Sequence, residues 1–161
     1  MTVDVYTSDE LATIARAVMI TGMAVAMVDA GIISTAIEAT ALAREIAGAA
    51  ETYPTNTIIQ TLFSEEALKQ AKENPPAKVE ISAEDLQPDT AIDTAIEKIS
   101  AALAILNTKA TPEDIQQYKE FIYSCADAVA NAAGSGLFGT GAKVSDREAV
   151  ALTKLKEILG V

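Results

Sequence analysis

Between Leu11 and Val28 the chain repeats apolar residues at the period of an α-helix and places little that is polar on the remaining faces. Leu11, Ile14, Val18, Thr21, Val25 and Val28 follow at intervals of 3, 4, 3, 4 and 3. Met19, Ile20, Met23, Ala24 and Met27 lie off that face. A helix that is apolar nearly all round needs neighbours on most of its sides, so the pattern predicts a central helix with others packed about it. Thr7 and Glu10 form a capping box at its start. Gly22 in its middle costs about 1 kcal/mol relative to alanine. Close approach of a neighbouring helix would explain it.

The same stretch has to be weighed against a membrane span. Ala17 to Val28 is uncharged, and Asp29 is the only charge before Ile37 is passed. A spanning helix needs about 20 apolar residues, and Asp29, Gly31 and Ser34 interrupt this one. The expectation is a core helix, a turn, and a second helix capped by Ser34 and running to about Ala50, with no membrane association. The first fifteen residues hold Asp4, Asp9 and Glu10 and no Lys or Arg, the wrong sign for a secretory leader.

Further helices are punctuated clearly. Pro54 marks a turn, Thr57 to Phe63 is a short apolar piece, and Ser64 opens a helix ending before Pro75-Pro76. Residues 75–88 read as an irregular, extended connection. Ile92, Ile96, Ile99, Leu103 and Leu106 form the most regular stripe, with Asp89 or Thr90 as its cap. Thr111-Pro112-Glu113-Asp114 is a helix start with hydroxyl, proline and acids in order. Ile115, Tyr118, Ile122, Cys125 and Val129 continue it. The stripes over 92–106 and 115–129 are expected to pack on each other. A glycine-rich loop, 134–143, leads to a second capping box, Ser145 with Glu148, and a last helix carrying Leu152, Leu155 and Leu159 and closed by Gly160. Alanine makes up about a fifth of the chain and aromatic residues 4%, which favours closely packed helices over sheet. The prediction is an all-α, single-domain antiparallel bundle of about six to seven helices over residues 1–161.

Charge and missing residue types exclude several functions. With 12 basic and 23 acidic residues the net charge is −11, so nucleic acid is not an expected partner, and an anionic membrane surface would repel the chain. No histidine is present. That removes Ser/His and Cys/His nucleophilic catalysis and every histidine-containing zinc site. A single cysteine, Cys125, forms no internal disulfide, which fits a reducing cytoplasm. It reads as a small buried thiol.

Two kinds of candidate site remain. In the glycine-rich loop, neither a phosphate-binding loop nor a dinucleotide fingerprint has its flanking strand. Leu137 and Phe138 either fold back on the core or form an apolar tip for a protein partner. The second kind is acidic. Asp29 ends the first helix, Glu38 lies one turn into the second, and Asp127 interrupts an alanine-rich stretch. Carboxylates suit hard divalent cations, but Glu38 also fits a helix first turn and Asp127 a solvated face.

The segment Ala24-Val25-Ala26-Met27-Val28-Asp29-Ala30-Gly31-Ile32-Ile33-Ser34, followed by Glu38, resembles the helix-joining motif A-D-G-x-x-S-x-x-E of tellurite-resistance, TerB-like proteins. The stretch from Ala126 to Gly134, followed by Val144-Ser145-Asp146-Arg147-Glu148, is similar to its C-terminal recurrence and to small bacterial helical proteins with a Gly-Phe-Gly loop before a V-S-x-x-E helix. Here Ala30 intervenes before Gly31, Glu38 follows Ser34 by four residues, and Ala133 replaces the motif's second aspartate. The resemblance implies an all-helical, stress-linked protein binding a divalent cation, with Asp29, Glu38, Glu148 and Asp127 as the ligands.

The leading expectation is a non-enzymatic, acidic, cytoplasmic protein of bacterial style that works by contact with a protein partner, as monomer or homodimer. The alternative is the cation-binding, TerB-like protein, the divalent cation being the one cofactor left open. An enzyme working through carboxylates alone is the third class.

Overall fold

The computed structural model describes residues 5–28, 35–74, 81–134 and 144–161. Seven α-helices are present among these: α1 (Ser8–Met27), α2 (Thr35–Thr52), α3 (Thr57–Phe63), α4 (Glu65–Glu73), α5 (Ala91–Lys109), α6 (Pro112–Gly134) and α7 (Asp146–Leu159).

 A short 3-10 turn, Ala83–Leu86, precedes α5, inside the connection expected to be extended; residues 75–80 lie outside the described residues. No strand occurs among the described residues, so the all-α class holds.

Local chemistry sets the ends. Thr7 Oγ1 accepts from Glu10 N at 3.2 Å, and Thr7 N donates to Glu10 Oε2 at 2.7 Å. Ser145 and Glu148 repeat this at α7, Ser82 and Asp85 at the 3-10 turn. Ser64 caps α4 and Thr111 accepts from Asp114 N. Gly160 closes α7, which ends at Leu159, with φ +69°, a left-handed conformation that glycine adopts without cost. One cap departs from expectation: Thr90 precedes α5 but its side chain makes no capping bond, because its backbone (φ −123°, ψ −8°) is not in the extended conformation that aims the hydroxyl at the helix. The expected cap at Ser34 lies outside the described residues.

The central helix is α1. It lies between α5 and α6, its two most extensive partners, while α2 lies mainly along α6 and meets α1 over a shorter length. The expected pairing of the α5 and α6 stripes is therefore corrected. These helices touch only slightly, because α1, with buried residues spread over several faces, fills the space between them. The buried face of α5 is also corrected. Ala91, Ala95, Ile99, Ala102 and Leu106 are buried, whereas Ile92, Ile96 and Leu103 are half-buried at its flanks. Small residues on the contact line let two helix axes come close, and the larger ones cover the seam. On α6 the expected face holds from Tyr118 on, with Tyr118, Ile122, Cys125 and Val129 all buried and Ile115 half-buried, and Tyr118 donates its hydroxyl to Ile14 O at 2.7 Å.

A polar knot joins α3 to α6. Asn56, fully buried, accepts from Ile59 N through Oδ1 at 2.9 Å, and its Nδ2 donates to Asp114 O and Gln117 Oε1 at 3.0 and 3.2 Å. Thr57 Oγ1 donates to Asp114 Oδ2 at 2.9 Å. Near this knot, Lys109 holds Glu10 at 2.7 Å and donates to Val5 O at 2.9 Å, while toward the other end of α5 Lys154 pairs with Asp93 to tie α7 to α5.

Candidate docking groove and carboxylate positions

Because α2 leans on α6, a gap opens between α1 and α2. It is an apolar groove of about 380 Å³, within the range of small binding sites. Met19, Met23 and Met27 form one wall, Ala39, Leu42, Ala43 and Ile46 the other, and Leu86 of the 3-10 turn borders it. Gly22 sits at its floor. A Cβ there would lie 2.6 Å from Leu42 Cδ1 and 2.7 Å from Cδ2, so the expected close approach is made by a side chain of α2. The chain has four methionines. All three beyond Met1 line this groove, half-buried, while the buried apolar positions go to Ala, Ile, Leu, Val, Phe, Tyr and Cys125.

The groove carries one carboxylate, Glu38, in the first turn of α2 and 1% exposed. Glu84 and Asp85 stand beside Leu86 on the 3-10 turn. The Asp85 carboxyl is held below its usual range, first by the Ser82 backbone N–H, then by the Ser82 hydroxyl, with smaller help from Lys98 and Arg16. A wider, shallower depression of about 740 Å³ lies between α6 and α7, lined in part by Thr153, Lys156 and Glu157.

The remaining predicted positions separate. Glu148 is 1% exposed, and its Oε2 accepts from Ser145 N at 2.9 Å in the α7 capping box. Asp127 is exposed on α6, where its backbone oxygen accepts from Asn131 Nδ2 at 2.8 Å. Asp29, Leu137 and Phe138 lie outside the described residues. Among the described residues, no group of three or more Cys, Asp or Glu side chains is placed to hold a metal ion. Cys125 is buried as expected, and burial, followed by the charge of Glu45, pushes its thiol far above the ordinary value. Ser124, its neighbour, donates to Glu45 Oε2 at 2.9 Å, linking α6 to α2.

Sequence reasoning placed Met19, Met23 and Met27 off the buried face of α1 but drew no site from them. The signal was their spacing of four, which puts them on one helical line. Chain-level comparison adds no relative: the chain matches no family model, no curated protein and no solved structure.

Proposed function

We propose that this chain is a non-enzymatic interaction protein that takes up a basic, amphipathic helical segment of a protein partner in the α1–α2 groove. The observation that carries the reading is the gathering of every methionine beyond Met1 along that one groove. Methionine is flexible and polarisable, and suits surfaces that mould to apolar side chains. Met19 to Met27 spans eight residue steps, about 12 Å of helix. An incoming helix presents apolar anchors at i, i+4 and i+7 over a similar length. The net charge of −11, with Glu38 in the lining and Glu84 and Asp85 beside Leu86, favours a positively charged partner. A cytoplasmic setting accords with the lone, buried Cys125.

The test is titration of a synthetic Leu/Lys amphipathic helix into the protein, read by calorimetry. Ala39 and Ala43 line the groove yet are exposed, so Ala39→Arg and Ala43→Arg are compatible with the fold. Each is expected to weaken binding at least tenfold, about 1.4 kcal/mol. Ala104→Arg, on the exposed side of α5, is the control. No binding at about 1 mM peptide, roughly −4 kcal/mol, would sink the reading, as would equal binding by all three variants. Self-association through the groove, seen as a dimer that Ala43→Arg dissolves, would replace the partner by a second copy.

A second reading is the TerB-like cation protein. It draws support from the burial of Glu38 and Glu148, each in the first turn of a helix. A divalent cation at 100 times its dissociation constant would add about 2.7 kcal/mol and raise Tm by roughly 5–10 °C. The rise should vanish in Glu38→Gln. An unchanged Tm across a panel of divalent ions would remove this reading.

A further inference from the structure

Besides Met1, the sulfur atoms of this chain are those of Met19, Met23, Met27 and Cys125. The four differ in access. Cys125 is wholly buried in the core and is not a groove residue. Peroxides react with thiolate rather than thiol, and burial keeps this group protonated. The three thioethers need no ionisation to react. They lie half-buried along an open groove, within reach of a molecule as small as hydrogen peroxide.

We propose that Met19, Met23 and Met27 form a peroxide-sensitive modification site, at which conversion to sulfoxides closes the α1–α2 groove to apolar ligands. In each step a sulfur lone pair attacks one peroxide oxygen. The S–O bond forms as the O–O bond breaks, sulfur loses two electrons, and the peroxide leaves as water. The product is polar and chiral where the wall had been flexible and apolar. The change falls on one line of α1, so successive oxidations act on the same surface. The fully buried residues of α1, Ile14, Ala17, Val18, Ile20, Ala24 and Val25, include none of the three methionines, and Met23 and Met27 pack against them from the flank. Thiol-dependent methionine sulfoxide reductases reverse the reaction, one enzyme for each sulfoxide epimer. The consequence for partner capture rests on the docking reading above.

The test treats the folded protein with hydrogen peroxide and maps added oxygen by peptide mass spectrometry. Binding of the Leu/Lys helix and of the neutral apolar dye Nile red is measured before and after. The expected result is one oxygen on each of the three methionines and none on Cys125. Affinity for both probes should fall at least tenfold and return after treatment with both reductases and dithiothreitol. In the variant carrying Met19→Leu, Met23→Leu and Met27→Leu, whatever affinity it starts from should be the same before and after peroxide. Methionines that stay unmodified at a dose that oxidises them in urea would overturn the site. Full oxidation with unchanged probe affinity would overturn its effect on the groove. If the untreated protein binds Nile red but not the helix, the docking reading fails alone, and the mass map and dye still decide the modification.

Discussion

Replacing Asn56 with alanine removes three interactions at once: the cap on Ile59 N and the donors to Asp114 O and Gln117 Oε1. A lost cap costs about 1 kcal/mol, and the lost hydrogen bonds to Asp114 O and Gln117 Oε1 about 0.5–1.5 kcal/mol each. The expected loss is therefore about 2–4 kcal/mol, read as a lower urea midpoint at unchanged slope. The turn marked by Pro54 was legible, but the bond from Asn56 to α6 was not, since Asp114 lies 58 positions away and nothing local announces the contact. Gly22 gives a contrasting case. Gly22→Ala gains about 1 kcal/mol of helix propensity and drives a methyl into Leu42. The atoms it meets are the flexible end of that side chain, beside an open groove. The two effects should cancel to within about 1 kcal/mol. A loss above about 2 kcal/mol in the same urea experiment would show that Leu42 has no second position to take up.

At the scale of the element, capping boxes make acid stability depend on named carboxylates. Glu10 is held below its usual range, first by the Lys109 ammonium and then by the Thr7 backbone N–H. Asp85 is lowered chiefly by the Ser82 backbone N–H. A carboxyl with a lower pKa in the folded state binds fewer protons there than in the unfolded chain, so stability rises with pH across that interval. The contribution is complete above the unfolded values, near pH 4–5, and is lost as pH falls through the folded ones. Both groups are well solvated, which keeps each effect small. Glu10→Gln combined with Asp85→Asn should flatten the acid limb of stability measured between about pH 2 and pH 6. An acid limb as steep as that of the unaltered protein would show that other carboxylates set it. The boxes at Thr7 and Ser145 could be read directly, because both partners lie within four residues. Thr90 could not, since capping depends on backbone angles that the preceding turn imposes.

For the whole molecule, the arrangement depends on which face of each helix meets α1. Ala102 is fully buried on the close-packed face of α5, so Ala102→Leu inserts volume where helices already approach closely. It should destabilise by about 1–3 kcal/mol, lowering Tm by roughly 2–12 °C. Leu103→Ala, one position round the helix and half-buried, should lower Tm less. The reverse order would restore the Ile92–Leu106 stripe as the buried face. Periodicity made every helix legible and gave the direction of most faces. It could not rank alanine against isoleucine on α5, because a large side chain at a flank buries much of its area while the small one marks the line of closest approach. The candidate site was legible in part. Glu38 and Glu148 were singled out and are buried, but the groove needs α1 and α2 together, and its methionines read only as residues off the main face.

The sequence by itself determined the all-helical class, the central position of α1 and most of the helix ends, because apolar period, capping hydroxyls, proline and glycine act over a few neighbouring residues. Only the tertiary structure decided that α1 separates α5 from α6, that alanines share the buried face of α5, and that α2 leans away from α1 to open a methionine-lined groove. Those outcomes depend on the relative volumes of side chains far apart in the chain, which meet only when the helices pack.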